Sequence, residues 1–115
     1  MRVKSELWVR AYLRRCQAAN VPAVIVRRGD EAAGAIFICV DRLDGTVKLY
    51  GPAPAGFAGG DSERRWVSCF GEGPANSAEA KLYLERQRGF DPDLWVIEIE
   101  DRAGRDFLRD DEREG

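Results

Sequence analysis

The fold is decided by residues 21–54, which read VPAVIVRRGDEAAGAIFICVDRLDGTVKLYGPAP. Two apolar runs, at 23–27 and 34–40, and an alternating run at 46–50 are separated by residues that favour turns. Asp44-Gly45 predicts a tight hairpin turn, because glycine tolerates the positive φ angle that such turns require. We therefore predict two or three consecutive antiparallel strands in this segment.

The run at 34–40 is apolar on both of its alternating faces. An antiparallel strand with one face in water would alternate between apolar and polar residues instead. The pattern predicts a central strand, or a strand whose second face packs against a partner.

A helix is predicted ahead of these strands. Apolar residues recur there at three- and four-residue spacing and so share one face of a helix; they are Trp8, Val9, Tyr12, Leu13 and Cys16. Ser5 is the predicted N-cap residue. The helix is expected to end at Asn20-Val21-Pro22, since a proline disfavours helical geometry in the residue before it.

The second half of the chain predicts a strand at 66–70, a helix and a final strand at 94–100. Asn76 followed by Glu79 resembles a capping pair at the start of that helix. Gly89 is expected to end it by adopting the left-handed conformation.

This order of elements predicts an α+β fold. We expect an antiparallel sheet of about four to six strands, with an N-terminal helix and a second helix before the last long strand. Residues 1–108 are predicted to form a single domain, and the highly charged residues 109–115 a disordered tail.

Charge is distributed unevenly along a chain whose net charge is only −2. Residues 1–28 hold seven basic groups and one acid, whereas residues 91–115 hold ten acids and four arginines. Such asymmetry is typical of a basic binding face or an acidic tail. It is equally expected if the two ends of the chain lie side by side and neutralise each other.

The sequence contains no histidine, which removes the commonest general base and the usual zinc ligand. Cys16, Cys39 and Cys69 have no paired metal-ligand spacing and are predicted to be buried small side chains. The odd cysteine count and the absence of a signal peptide or an apolar membrane span predict a cytoplasmic protein without membrane partners.

Several segments resemble one protein family. They are KSELWV at 4–9, RRC at 14–16, RRGD at 27–30 with AGAI at 33–36, LDG at 43–45, LYGPA at 49–53 and FDPDLWVIEIED at 90–101. In this order they resemble the alphaproteobacterial proteins of about this length classed as domain-of-unknown-function family 1491. The resemblance covers nearly the whole chain apart from residues 54–64 and the tail. It implies a bacterial cytosolic protein, and it carries no functional residue over to this chain.

Five arginines of the N-terminal quarter are candidate contacts to phosphate groups or to an acidic partner; they are Arg10, Arg14, Arg15, Arg27 and Arg28. The alternative is a solvated basic face that pairs with the acidic C-terminal third.

Further candidates are expected to line a pocket or to form turns; they are Asp30, Tyr50, Asp91, Asp93 and Trp95. Asp91 and Asp93 are too few oxygen ligands for a hard cation, and an Asx-Pro turn accounts for them. The glycine-rich stretch at 51–60 lacks the Gly-Lys-Ser/Thr of a phosphate-binding loop. No catalytic residue, metal site or cofactor is therefore predicted.

The sequence favours a non-catalytic protein-interaction module, either a homodimer or a protein with an unidentified protein partner. One alternative is a nucleic-acid-binding protein that uses the basic N-terminal helix. Another is a small histidine-free enzyme or metabolite-binding protein.

Overall fold

The computed structural model describes residues 3–54 and 64–114. These residues form two α-helices, six strands and one short 3-10 helix, which confirms the predicted α+β class. In chain order they are α1 (Ser5–Ala18), β1 (Ala23–Arg27), β2 (Ile36–Asp41), β3 (Thr46–Pro52), β4 (Trp66–Ser68), β5 (Ala75–Asn76), α2 (Ser77–Phe90), β6 (Trp95–Glu100) and the 3-10 helix Asp110–Glu112.

The strands form one sheet in the order β1-β6-β2-β3-β4, and the short β5 pairs with the start of β3. Pairing is antiparallel at every described strand contact except that of β2 with β6, which is parallel. Of the consecutive strands predicted within residues 21–54, β2 and β3 pair directly, whereas β6 lies between β1 and β2. A parallel pair needs a long crossover connection, and α2 lies within that connection.

One helix packs on each face of the sheet. The α1 residues Trp8, Val9, Tyr12 and Cys16 join a buried cluster with the side chains of one sheet face, including Ile38. On the opposite face, Ala80 and the half-buried Tyr83 and Leu84 of α2 pack with a second cluster, built on Phe37, Cys39, Val47, Leu49, Leu94 and Val96.

Strand β2 lies in the middle of this arrangement, and its first five residues are buried. The predicted central strand is thereby confirmed. Its second apolar face is covered by α2 of the same chain, so that face is not left open for a partner.

Two predicted helix signals are wrong. Ser5 is the first residue of α1 rather than its N-cap, and its hydroxyl donates a hydrogen bond to the Gly34 carbonyl oxygen at 2.7 Å. Gly89 does not end α2, which continues to Phe90. The Asn76 cap is confirmed, since its side chain accepts a hydrogen bond from the Ala78 N–H at 2.8 Å.

The C-terminal segment differs from the predicted disordered tail. Residues 110–112 form a 3-10 helix in which Glu112 is only 5% exposed. The physical reason is tertiary, because Glu112 binds side chains of α1. Residue 115 and most of the glycine-rich stretch at 51–60 lie outside the described residues, while β3 extends to Pro52.

Candidate functional site

Three of the five candidate arginines, Arg10, Arg15 and Arg28, bind carboxylates of the same chain. Arg10 and Arg28 both bind the carboxylate of Glu6, the former at 3.4 Å, and the Arg28 guanidinium also lies over the Trp95 ring. Arg27 donates to the Pro92 carbonyl oxygen at 2.7 Å. Arg14 is exposed on α1.

Arg15 is engaged in a pair that links the two ends of the chain. Its guanidinium donates to both carboxylate oxygens of Glu112, at 2.7 and 2.9 Å, and Trp8 Nε1 donates to the same carboxylate at 3.1 Å. Burial alone would raise the pKa of Glu112, but the hydrogen bonds from Arg15, the Arg109 N–H and Trp8 outweigh it and lower that pKa. This pair therefore has a structural role, and it joins the basic N-terminal segment to the acidic C-terminal one.

Two of the candidate acids help to hold a loop against the start of β6. The Asp30 carboxylate accepts hydrogen bonds from the Ala32 and Ala33 N–H groups, and its backbone N–H donates to the Asp93 carbonyl oxygen at 2.9 Å. Trp95 is fully buried and donates through Nε1 to the Asp30 carbonyl oxygen at 2.8 Å. These contacts organise a turn.

Asp91 and Tyr50 line separate depressions. Asp91 accepts a hydrogen bond from the Asp93 N–H and also borders a cleft with Cys69 and Tyr83. Tyr50 borders a cavity of about 240 Å³ that includes Arg113. Burial and the neighbouring Asp106 raise the pKa of Tyr50 to about 12, so its hydroxyl stays protonated at neutral pH. Hydrogen bonds thus link four of the five candidates, Asp30, Asp91, Asp93 and Trp95, around one turn, and Tyr50 lines a separate cavity.

The cysteines offer little reactive thiolate. Cys16 and Cys39 are buried and Cys69 is half-buried. Burial, with Glu98 and Asp41 nearby, raises the pKa of Cys39 to about 12. Among residues 3–54 and 64–114, no group of three or more cysteine, aspartate or glutamate side chains is placed to hold a metal ion. No helix in those ranges is long and apolar enough to cross a membrane.

The distinctive surface of the described chain is the outer edge of the sheet at β1. Three consecutive apolar side chains there are exposed to solvent: Val24 by 55%, Ile25 by 38% and Val26 by 59%. Val24 pairs with Glu98 and therefore lies on the α2 side of the sheet, whereas Ile25 pairs with Ile97 and lies on the α1 side. Proteins usually protect an edge strand with charged side chains or a covering segment, because an open edge pairs readily with another strand.

The opposite edge of the sheet is short and partly covered. Strand β4 has three residues, and the C-terminal segment contacts the first of them, Trp66. Trp66 forms a parallel bridge with Arg113, and its carbonyl oxygen accepts a hydrogen bond from the Glu114 N–H at 2.9 Å. The two edges therefore differ, since described residues contact the start of β4 and leave the apolar side chains of β1 exposed.

The backbone of β1 presents hydrogen-bonding groups to solvent at defined positions. Glu100 donates through its backbone N–H to the Pro22 carbonyl oxygen, whereas the Trp95 N–H points to β2 and donates to the Ala35 carbonyl oxygen. Because backbone groups alternate in direction along a strand, even-numbered residues of β6 face β1 and bind Pro22 and Val24. The N–H and C=O groups of Ala23 and Ile25 consequently point outward from the sheet.

The regular edge ends at a β-bulge. The pairing shifts between Ile25 and Arg27, so that Arg27 lies opposite Val96. An extra residue in one strand reverses the direction of the groups that follow it. Beyond the bulge the backbone groups of Arg27 therefore point back toward β6, and the open ladder is confined to Ala23 and Ile25.

Sequence reasoning predicted the β1 strand but missed its position at an edge. One signal was present in the sequence. Pro22 directly precedes the strand, and proline is tolerated at the first residue of a strand or on an edge. This signal does not give the order of strands, which depends on how β6 inserts between β1 and β2.

The described fold defines a class of small α+β protein in which a mixed six-stranded sheet has one helix on each face. The family model described as "Protein of unknown function (DUF1491)" matches residues 3–109, and the chain belongs to this family. The family suggested by the sequence motifs is thus confirmed.

Solved structures agree with this assignment. The chain is similar to a crystal structure of a DUF1491 family protein from Caulobacter crescentus, with 34% identity, a TM-score of 0.79 and complete coverage of both chains. An NMR structure of a DUF1491 family protein from the same organism has 37% identity and a TM-score of 0.79, and covers 100% of this chain and 99% of that one. A solution structure of an A. tumefaciens protein has 45% identity and a TM-score of 0.74, and covers 87% and 86% of the two chains. A comparison with curated proteins gave no match.

Proposed function

We propose that this chain is a non-catalytic, cytoplasmic protein-interaction module that accepts an extended strand along the outer edge of β1. The observation that carries the proposal is the exposure of Val24, Ile25 and Val26 on a strand with outward-pointing backbone groups. A docking strand would hydrogen-bond to the backbone of Ala23 and Ile25, and its own apolar side chains would cover the exposed ones.

The arrangement of the candidate residues favours this function over catalysis. The Asp30 carboxylate accepts hydrogen bonds from backbone N–H groups of its own loop, and the Arg28 guanidinium binds Glu6. Asp91 borders a cleft that Asp30 and Arg28 do not line. A general acid and base pair would need two such groups within reach of one substrate.

The proposal is tested by photo-crosslinking in living bacteria. Val24 is replaced by the photo-reactive residue p-benzoylphenylalanine, and the cross-linked species are identified by mass spectrometry. Leu82 on α2 is the matched control position, because its side chain is exposed to the same degree, 57% against 55%. We expect a discrete adduct from position 24 that is absent from position 82. Equal labelling at both positions, or no adduct from position 24, would contradict the proposal.

A further inference from the structure

We infer that the strand accepted by β1 is the β1 strand of a second copy of this chain, paired antiparallel about a two-fold axis that passes beside Val24. This inference rests on the proposed function and names its partner. The resulting dimer has one continuous sheet, with α1 on one side of each half and α2 on the other.

The register follows from the backbone groups that are free to pair. With the axis at Val24, Ala23 of each copy lies opposite Ile25 of the other. These are the residues whose N–H and C=O groups point outward, so four inter-chain hydrogen bonds form. An axis at Ile25 would instead place Ala23 opposite Arg27, whose groups turn inward after the bulge, and would leave two bonds.

The side chains fit the same register. Val24 lies directly opposite Val24 of the second copy, on the α2 side of the sheet, where it is more than half exposed in the monomer. Directly opposed residues in a non-hydrogen-bonded pair are the closest in an antiparallel ladder, at about 4.5 Å between Cα atoms. Two β-branched side chains at that distance remove apolar surface from water.

The charges at the two ends of the edge favour an antiparallel copy. On the α2 side of the β1–β6 pair, Arg27 lies at one end and the exposed Glu100 at the other. Glu98 between them has a raised pKa, because it is partly buried and lies near Asp41 and Glu100. A two-fold pairing brings the arginine end of each copy beside the acidic end of the other, and parallel pairing would bring like charges together.

The contact is small, and the dimer is therefore expected to depend on protein concentration. Specific interfaces usually bury at least about 1,000 Å² in total, and one short strand pair supplies less than large obligate dimers do. Sedimentation equilibrium over a range of concentrations should show a monomer–dimer equilibrium. We expect Val24→Lys to raise the dissociation constant at least about tenfold, and Leu82→Lys, on the exposed face of α2, to leave it unchanged.

The register is tested by disulfide trapping. Under mild oxidation Val24→Cys should form a covalent dimer in high yield, because its Cα separation in the dimer lies within the range of a disulfide. Ile25→Cys is the matched control, since the two Ile25 residues are diagonal neighbours at about 7–8 Å. The unmodified chain, oxidised in the same way, is the control for any covalent dimer that forms through the native cysteines.

The outcomes separate this inference from the proposed function. Trapping through Ile25→Cys in place of Val24→Cys would overturn the register. A monomer at all concentrations, with no trapped dimer, would overturn the second copy as the partner. If position 24 then photo-crosslinks a different protein in cells, the strand-accepting function stands without the dimer; if it cross-links nothing, both fall.

Discussion

At Gly29 the backbone of the loop after β1 passes directly over the start of β6. A Cβ atom at this position would overlap the Asp93 carbonyl oxygen and lie 2.6 Å from the carbonyl carbon of Leu94. Both are backbone atoms, which cannot swing aside as the end of a flexible side chain can. The close approach holds Arg28 over the Trp95 ring at one end of the β1 edge.

We expect opposite effects from alanine at two glycines. Gly29→Ala should destabilise the protein by about 1–3 kcal/mol, because the loop must move away from β6. Gly89→Ala should stabilise it by up to about 1 kcal/mol, since Gly89 lies in α2 with nothing within 4 Å of the added methyl group. Urea unfolding of both variants measures the two free energies. A Gly29→Ala variant as stable as the unmodified chain would show that the loop does not pack against β6 in this way.

Single residues also show where sequence reasoning succeeds and where it stops. The buried face of α1 could be predicted from spacing alone, since Trp8, Val9, Tyr12 and Cys16 are all buried. The fifth predicted residue, Leu13, is half-buried and packs against the same cluster. Ser5 was assigned to the helix cap because serine is common there, whereas its hydroxyl binds Gly34, 29 residues away. Local preference cannot distinguish a cap from a tertiary hydrogen bond.

At the scale of elements, the C-terminal segment depends on one buried carboxylate. Glu112 accepts hydrogen bonds from Arg15, Trp8 and the Arg109 N–H, and these contacts hold residues 109–114 against α1 and β4. A run of charged residues predicts disorder when its charges have no fixed partner. Here a distant arginine and tryptophan supply the partner, and the sequence of the tail alone does not contain them.

Replacing that carboxylate should weaken the whole fold. Glu112→Gln removes the ion pair but keeps a side chain of similar size, and we expect a loss of about 2 kcal/mol in the free energy of unfolding. This is below the usual cost of breaking a fully buried pair because the Arg15 side chain is 24% exposed. Asp111→Asn, at a carboxylate whose side chain is 75% exposed, is the control and should change stability little.

The same pair predicts a pH dependence. The pKa of Glu112 is lowered in the folded protein, so its stabilisation is fully present above the unfolded value of about 4.3 and is lost as the pH falls through the lower folded value. The difference in free energy of unfolding between the unmodified chain and Glu112→Gln should be constant from about pH 6 to about pH 8. It should shrink in more acidic solution. A difference that persists undiminished well below about pH 4 would show that the charge of Glu112 is not its source.

The strands also show which features a sequence predicts. The existence and type of the long strands could be predicted from the sequence, because β2 is apolar along most of its length and β3 alternates. The order of strands could not, since it depends on β6 inserting parallel to β2 from 54 residues further along the chain. The edge position of β1, on which the proposed function depends, follows from that insertion.

At the scale of the molecule, two helices cover the two faces of the sheet and leave its edges as the places where further strands can be added. The sequence suggested an open sheet face for a partner, and α2 occupies that face instead. The C-terminal segment contacts Trp66 at the start of β4, whereas β1 is the edge with exposed apolar side chains in the described chain. We therefore expect association at the β1 edge strand.

Amide hydrogen exchange at Ala23 and Ile25, followed by NMR at low and high protein concentration, tests this claim most directly. Both N–H groups point outward, so they should exchange rapidly in dilute solution. At high concentration the same two amides should become protected as the β1 strands of two copies pair, while the Val24 amide, which faces β6, stays protected throughout. Rapid exchange of Ala23 and Ile25 at the highest concentration, or protection of both in the dilute monomer, would contradict the account.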